Sequence, residues 1–192
     1  MKLGLRIVII IALQTAALIG MVGMKQYTLS TGVPIVLKTE PIDPRSLFSG
    51  DYVRLNYAIS QLPVDKLAGD REFERNDTVY VVVQPAGEYW EALSVHHALP
   101  SVTEGQVAIK GRVEYVHQRN VRRRGETPEL VKSISVKYGV ENYYVPEGEG
   151  RALERPKPDE TISIRLVVDK NGNAAIKAVL VNGVERYVER VF

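Results

Sequence analysis

The sequence predicts a mainly β protein: an N-terminal transmembrane helix followed by a single β-rich, extracytoplasmic domain that forms a barrel-like or coiled sheet. Two observations predict it, an apolar run near the N-terminus and, behind it, short segments in which apolar and polar residues alternate. Alternation with a period of two is typical of half-buried strands. The 192 residues suit one domain with an appendage, so we predict a membrane anchor over residues 1–25 and the β-rich domain over residues 26–192.

The apolar run extends over residues 3–24 and contains Arg6, Gln14 and Thr15 as its polar positions. Its length is close to the ~20 residues that cross a bilayer as a helix. Lys2 and Arg6 lie at its start, so the positive-inside rule places the N-terminus in the cytoplasm and the rest of the chain outside. We therefore expect a signal anchor that contacts the lipid bilayer through residues 3–24.

Two other interpretations of this run stay open, a cleaved signal peptide and a buried core helix. No small-x-small cleavage site follows the run, because Met21 and Met24 are large. The chain has no cysteine. That excludes a lipid-modified cysteine anchor, disulfide bonds and thiolate metal sites.

Composition excludes further classes of protein. Hydrophobic residues make up 45% and charged residues 25% of the chain, which is ordinary for a globular protein. Three of the 25 basic residues, Lys2, Arg6 and Lys25, lie in the first 25 residues, where no acid occurs. The rest holds 22 basic residues beside all 23 acidic ones, and such a near-neutral domain lacks the positive surface of a nucleic-acid binder.

Behind the anchor we predict eight or nine short strands and no long helix. The strands are expected over residues 34–39, 51–59, 78–84, 89–99, 107–118, 133–138, 162–169, 174–181 and 184–191. Residues 26–33 are predicted to be a connector. The pair Asn182-Gly183 predicts a two-residue hairpin turn of type I′.

Two blocks of sequence are the most distinctive. The first covers residues 41–57 (PIDPRSLFSGDYVRLNY), and its Gly50-Asp51-Tyr52 with Leu55 and Tyr57 resembles the bacterial GDYXXLXY family. The second covers residues 138–151 (YGVENYYVPEGEGR) and is similar to that family too. The resemblance implies a membrane-associated bacterial protein, hence the inner membrane, that accompanies a multi-pass membrane protein. It carries over no catalytic residue.

Two interpretations of these blocks stay open. In the first, they are turn-and-strand signatures that set fold and register, with Leu55 and Tyr57 in the core and Tyr52 on the opposite face. In the second, their polar side chains form a surface for a partner or ligand. The candidate residues of that surface are Arg45, Asp51, Tyr52, Arg54, Glu141, Tyr144, Glu147 and Arg151.

A membrane-anchored hydrolase similar to signal peptidase is the least favoured function. In that alignment the nucleophilic serine falls on Pro41, which cannot attack a carbonyl. Ser46 and Ser49 lie in the wrong place, and Lys110 is the best available base. We therefore predict no enzymatic activity.

Metal and cofactor binding are not predicted either. His96 and His97 are adjacent on a predicted strand and should point to opposite faces. The basic run Arg122-Arg123-Arg124 is interpreted as a solvated loop, with contact to anionic lipid headgroups as the alternative.

The expected function is that of a non-enzymatic accessory protein on a multi-pass membrane partner. Tyrosine dominates the aromatic residues, with 10 Tyr against 3 Phe and 1 Trp, and tyrosine suits interfaces. An extracytoplasmic domain that binds a small molecule or glycan is the alternative.

Overall fold

The structure is a computed structural model that describes residues 3–40, 52–121, 129–144 and 160–189. One N-terminal apolar helix precedes β-sheets that curl into a half-barrel. The prediction of a mainly β chain with an apolar N-terminal helix is confirmed.

The helix α1 covers Leu3–Thr31. It is long and apolar enough to cross a membrane, and its most apolar window is wholly unburied by the rest of the chain. The prediction that residues 26–33 form a connector is wrong, because the helix continues to Thr31. Two local bonds support this last turn: the hydroxyls of Ser30 and Thr31 donate to the carbonyl of Tyr27, at 3.1 and 2.8 Å.

The described residues contain thirteen strands and one short 3-10 helix. They are β1 (Val33–Glu40), β2 (Tyr52–Arg54), β3 (Asn56–Tyr57), the 3-10 helix (Ala58–Ser60), β4 (Gln61–Leu62), β5 (Ala68–Gly69), β6 (Thr78–Ala86), β7 (Tyr89–His96), β8 (Val107–Val121), β9 (Glu129–Lys137), β10 (Asn142–Tyr144), β11 (Ile162–Val168), β12 (Ala174–Val181) and β13 (Val184–Val188). We call these strands together the β unit.

The strands form two large sheets and one ribbon. The first sheet has the order β13-β12-β11-β1-β3, and the second has the order β4-β9-β8-β6-β7-β5. The pair β10-β2 forms the ribbon. All pairs are antiparallel except β5 with β7.

Both sheets contribute to one hydrophobic core. Its most deeply buried branched side chains are at most 1% exposed and come from the two sheets alike: Ile35, Leu37, Ile164, Leu166, Val81, Ile109 and Ile134. At the far end of β12, Asn182 and Gly183 have φ angles of 52° and 77°. Two successive positive values are those of a type I′ turn, which confirms the predicted hairpin.

The prediction of one strand over residues 51–59 is wrong. The chain pairs first with β10 through β2, then crosses to β1 through β3, and then enters the 3-10 helix. Leu55 lies at the crossing, where its N–H donates to the carbonyl of Glu141 at 2.7 Å. Leu55 and Tyr57 are nevertheless core residues, 5% and 0% exposed, as their spacing predicted.

Candidate functional site

The two motif blocks, far apart in sequence, meet in the structure. Strand β2 comes from the first block and β10 from the second, and they pair antiparallel with Val53 opposite Tyr143. Tyr143 is 7% exposed and belongs to the core. The meeting place of the blocks is the candidate site.

Two tyrosines join the second block to the end of the first block and to the 3-10 helix that follows it. The Tyr57 hydroxyl donates to the carbonyl of Val140, and the Tyr138 hydroxyl donates to the carbonyl of Ile59 at 2.7 Å. Their rings meet edge to face, with centroids 6.5 Å apart. Burial raises the pKa of both hydroxyls well above 10.0, and the nearby Glu141 carboxylate raises each pKa further. These tyrosines therefore stay neutral donors at any physiological pH.

Glu141 shapes the second block from within. Its carboxylate accepts the backbone N–H groups of Tyr138 and Gly139. Gly139 has a φ of 80°, which favours glycine. The carboxylate thus holds a tight turn, and the candidate residue Glu141 has a structural role as well as a place at the site.

A polar cleft opens beside this meeting place. Its volume is about 370 Å³. One wall is the outer face of the second sheet, where Gln61 on β4 lies opposite Ser135 on β9. The cleft lining comprises Leu55, Asn56, Ser60, Gln61, Glu114, Ser135, Val136, Lys137, Glu141 and Asn142. Both motif blocks therefore contribute to one open site.

Three side-chain amides in this cleft are free to bind. Within the described ranges, no hydrogen bond is made by the side chains of Asn56, Gln61 and Asn142. The charged groups are already engaged, because the Lys137 ammonium forms an ion pair with the Glu114 carboxylate. Glu141 leaves one net negative charge in the lining, and its carboxylate accepts two backbone N–H groups. The free side chains of the site are therefore the three neutral amides.

The predicted surface residues are only partly placed by the structure. Tyr144 is 76% exposed on β10, opposite Tyr52 on β2. Tyr52 and Arg54 lie on that strand, but their side chains are outside the described part of the chain, as are the candidates Arg45, Asp51, Glu147 and Arg151 in full.

Sequence analysis missed the three free amides and a second feature, a joint between α1 and the β unit. The joint comprises Thr28, Leu29, Val167, Asp169 and Ala175. Leu29 packs against Val167 and Ala175, and the Thr28 hydroxyl donates to the Asp169 carboxylate at 3.0 Å. Thr28 and Asp169 are only 5% and 8% exposed, so the contact is shielded from water.

The turn after β11 holds the Asp169 carboxylate in position for this contact through further hydrogen bonds. Its carboxylate also accepts the backbone N–H groups of Asn171 and Asn173, each at 2.9 Å, and the side-chain amide of Asn173. Burial alone raises the pKa of Asp169, but these bonds and the one from Thr28 outweigh it and leave the pKa below 3.8. Asp-Lys-Asn-Gly-Asn is a turn-forming sequence, and this signal was available from the sequence.

Close packing is required where the helix ends at the joint. A Cβ atom added to Gly32 would lie 2.7 Å from the Thr28 carbonyl oxygen and 2.9 Å from the Val168 nitrogen. A larger residue at Gly32 would therefore push α1 away from β11.

The remaining candidates do not come together in the described structure. Lys110 is exposed on β8, and its backbone N–H donates to the Gly172 carbonyl at 2.8 Å. Ser46 and Ser49 lie outside the described residues. The His96 ring bonds to the Ser94 hydroxyl and the His97 ring to the Glu72 carbonyl.

Comparison with known proteins supports the resemblance. A family model described as GDYXXLXY protein matches residues 14–179. The match takes in much of α1, both strands of the ribbon, and the chain up to β12. Comparisons with curated proteins and with solved structures found no match.

Proposed function

The chain belongs to the GDYXXLXY family, and we propose that it is a membrane-anchored, non-enzymatic accessory protein that associates with a multi-pass membrane partner. In this proposal α1 spans the bacterial inner membrane once, with its N-terminus in the cytoplasm and the β unit outside. The position of Arg6 near the start of the apolar span supports this orientation.

The joint is the observation that carries the proposal. The apolar span of α1 is unburied, while its last turns are fixed to the β unit by the Thr28–Asp169 bond and the packing of Leu29. A helix fixed in this way presents a defined face to its neighbours in the membrane. The β unit is held above that same neighbour, so one partner can contact both.

The motif tyrosines support a non-enzymatic role. Tyr57 and Tyr138 are buried, and both hydroxyls are hydrogen-bonded to backbone carbonyls. Groups held in this way stabilise the fold and are not available to substrate.

One face of α1 suits a helical partner best. At 100° per residue, Ala12, Ala16, Gly20 and Gly23 fall within about 80° of one another on the helix surface. A Cβ atom added to Gly20 or Gly23 would have no neighbour within 4 Å. Small residues allow two membrane helices to approach closely.

Affinity purification of the full chain from native membranes in mild detergent tests the proposal. We expect a stoichiometric multi-pass protein to co-purify with the wild type. Ala16→Leu should reduce the recovered partner at least about fivefold, because the added side chain separates the two helices. Ala17→Leu is the matched control, since it makes the same change about 100° away on the helix.

Three results would count against the proposal. Recovery of the chain without a stoichiometric partner would refute the accessory role. Equal recovery with both variants would refute contact through this face of α1. A catalytic activity that co-purifies with the β unit alone would refute the non-enzymatic assignment.

A further inference from the structure

The cleft between the motif blocks carries an inference that goes beyond association with a membrane partner. We infer that this cleft binds an uncharged, hydroxyl-rich ligand of the saccharide class. The cleft is open, and its volume of about 370 Å³ lies within the range of small-molecule sites.

The free amides are the main reason. Asn56, Gln61 and Asn142 come from β3, β4 and β10, and all three line the cleft. Each amide carries one carbonyl acceptor and two N–H donors. A sugar hydroxyl is both donor and acceptor, so neighbouring hydroxyls match the two ends of one amide group.

The charges in the cleft argue against an ionic ligand. Lys137 and Glu114 neutralise each other, with their side chains 44% and 33% exposed. The Glu141 carboxylate is held by the backbone N–H groups of Tyr138 and Gly139. An anion would meet the net negative charge that these three side chains leave, and a cation would compete with Lys137 or with the backbone donors for a carboxylate. A neutral polyol can add hydrogen bonds to the free amides without such competition.

An aromatic residue lies next to the cleft lining in the second sheet. Tyr115 on β8 lies opposite Ser135 in the register of the second sheet, and Ser135 lines the cleft. The ring is 48% exposed, and the guanidinium of Arg75 lies over it, 5.3 Å from its centroid. A half-exposed ring has apolar area for the C–H face of a sugar.

Isothermal titration of the full chain in lipid nanodiscs tests this inference. The probes are two neutral trisaccharides, maltotriose and tri-N-acetylchitotriose, with tri-galacturonate as the anionic probe and a blocked tri-alanine peptide as the peptide probe. We expect saturable binding of at least one neutral trisaccharide and no binding of the anionic probe or the peptide probe. Gln61→Ala should raise the Kd about tenfold, the effect of losing one well-formed hydrogen bond of ~1.4 kcal/mol.

The control is Gln84→Ala, which removes an exposed glutamine from β6 away from the cleft and should leave the Kd unchanged. Asn142→Ala provides a second, independent loss of a cleft amide. Both cleft residues are exposed, and a thermal unfolding midpoint equal to that of the wild type will show that the variants are folded.

The inference is overturned if neither neutral trisaccharide binds, if Gln61→Ala and Asn142→Ala bind as tightly as Gln84→Ala, or if the anionic or peptide probe binds better. Co-purification of a membrane partner requires no saccharide. A negative result in the saccharide titration therefore does not bear on the accessory role. A negative result in the co-purification does not bear on saccharide binding.

Discussion

Hydrogen bonds from Tyr57 and Tyr138 join the second motif block to the end of the first block and to the 3-10 helix that follows it. These bonds explain part of the family string in physical terms. The Tyr57 hydroxyl donates to the carbonyl of Val140, two residues after Tyr138. The Tyr138 hydroxyl donates to the carbonyl of Ile59, two residues after Tyr57. Leu55, the other apolar member of the string, is buried and donates its N–H to Glu141. Residues at these positions hold a long-range contact in place.

Removal of one hydroxyl tests that contact. Tyr57→Phe keeps the ring but leaves the Val140 carbonyl without its donor, so we expect the free energy of unfolding to fall by about 1–3 kcal/mol. Urea unfolding of the full chain in detergent micelles measures it. Tyr115→Phe, at a half-exposed ring, should change the value by less than about 0.5 kcal/mol. A loss below that limit for Tyr57→Phe would contradict the bond.

The same tyrosines predict a loss of stability in alkali. Burial raises the pKa of Tyr57 and Tyr138 in the folded chain above the unfolded value of 10.0. Folding is therefore fully favoured by these groups below pH 10, and that stability is lost as the pH rises from 10 towards the folded pKa. Unfolding titrations from pH 9 to 11.5 should show a decline that is less steep for Tyr57→Phe than for the wild type. An equally steep decline in both proteins would refute the assignment of this loss of stability to the buried Tyr57 hydroxyl.

At the scale of elements, local signals were sufficient for some strands and not for others. Strand β12 runs from Ala174 to Val181 as predicted, because the turn residues Asn173 and Asn182-Gly183 mark both of its ends. The break in residues 51–59 was hidden, because Leu55 and Tyr57 keep the alternation of a single strand. What divides that segment is pairing with two different partners, β10 and β1, and such pairing leaves no local trace.

The last turns of α1 were missed for a related reason. Thr28, Ser30 and Thr31 are poor helix formers, so local propensity gives no reason to extend the helix through the predicted connector. In the structure they are stabilised by bonds that the pattern does not reveal, two within the helix and one from Thr28 to Asp169. Side-chain bonds within the helix and one tertiary contact together override local propensity here.

The Thr28–Asp169 bond makes a testable contribution to stability. Thr28→Val keeps the shape of the side chain but removes the donor to a buried carboxylate, so we expect a loss of about 1–3 kcal/mol at pH 7. Thr31→Val is the matched control, because its hydroxyl bonds only within the helix. Urea unfolding in micelles compares the two variants, and equal losses would refute the role of the joint.

Acid should remove this difference between Thr28→Val and the wild type. The pKa of Asp169 is lowered in the folded chain, so its contribution is present above the unfolded value of 3.8 and is lost as the pH falls through the folded pKa. The variant lacks one of the bonds that lower this pKa, and the pKa should rise towards 3.8. Carboxyl NMR titration of Asp169 measures the change directly, and an unchanged pKa would contradict the contact.

For the whole molecule, the general architecture was predictable and the site was not. An apolar helix followed by alternating strands identifies the layout from composition and period alone. The meeting of residues 52–57 with residues 138–144 depends on how the sheets curl, which the period of a strand does not encode. The cleft amides Asn56, Gln61 and Asn142 became visible only after that meeting was known.

The joint predicts that α1 and the β unit move as one body. Leu13 and Val184 are 70% and 71% exposed, and the chain has no cysteine, so Leu13→Cys with Val184→Cys allows selective spin labelling. In nanodiscs we expect a single narrow distance distribution between the labels by pulsed electron paramagnetic resonance. Adding Thr28→Val and Leu29→Ala should broaden it, and a broad distribution without those changes would refute a fixed joint.

Because α1 is joined to the β unit at its C-terminal end, a tilt of the helix should also tilt the β unit. The 29 residues of α1 form a rod about 43 Å long at 1.5 Å per residue. If α1 spans a bilayer as proposed, a membrane thinner than the apolar span should increase the tilt of the rod. With a fixed joint, the β unit should lean through the same angle. A change of about 10° moves the end of the rod sideways by about 7 Å. On these two proposals, the direction in which the cleft faces would depend on the thickness of the surrounding lipid.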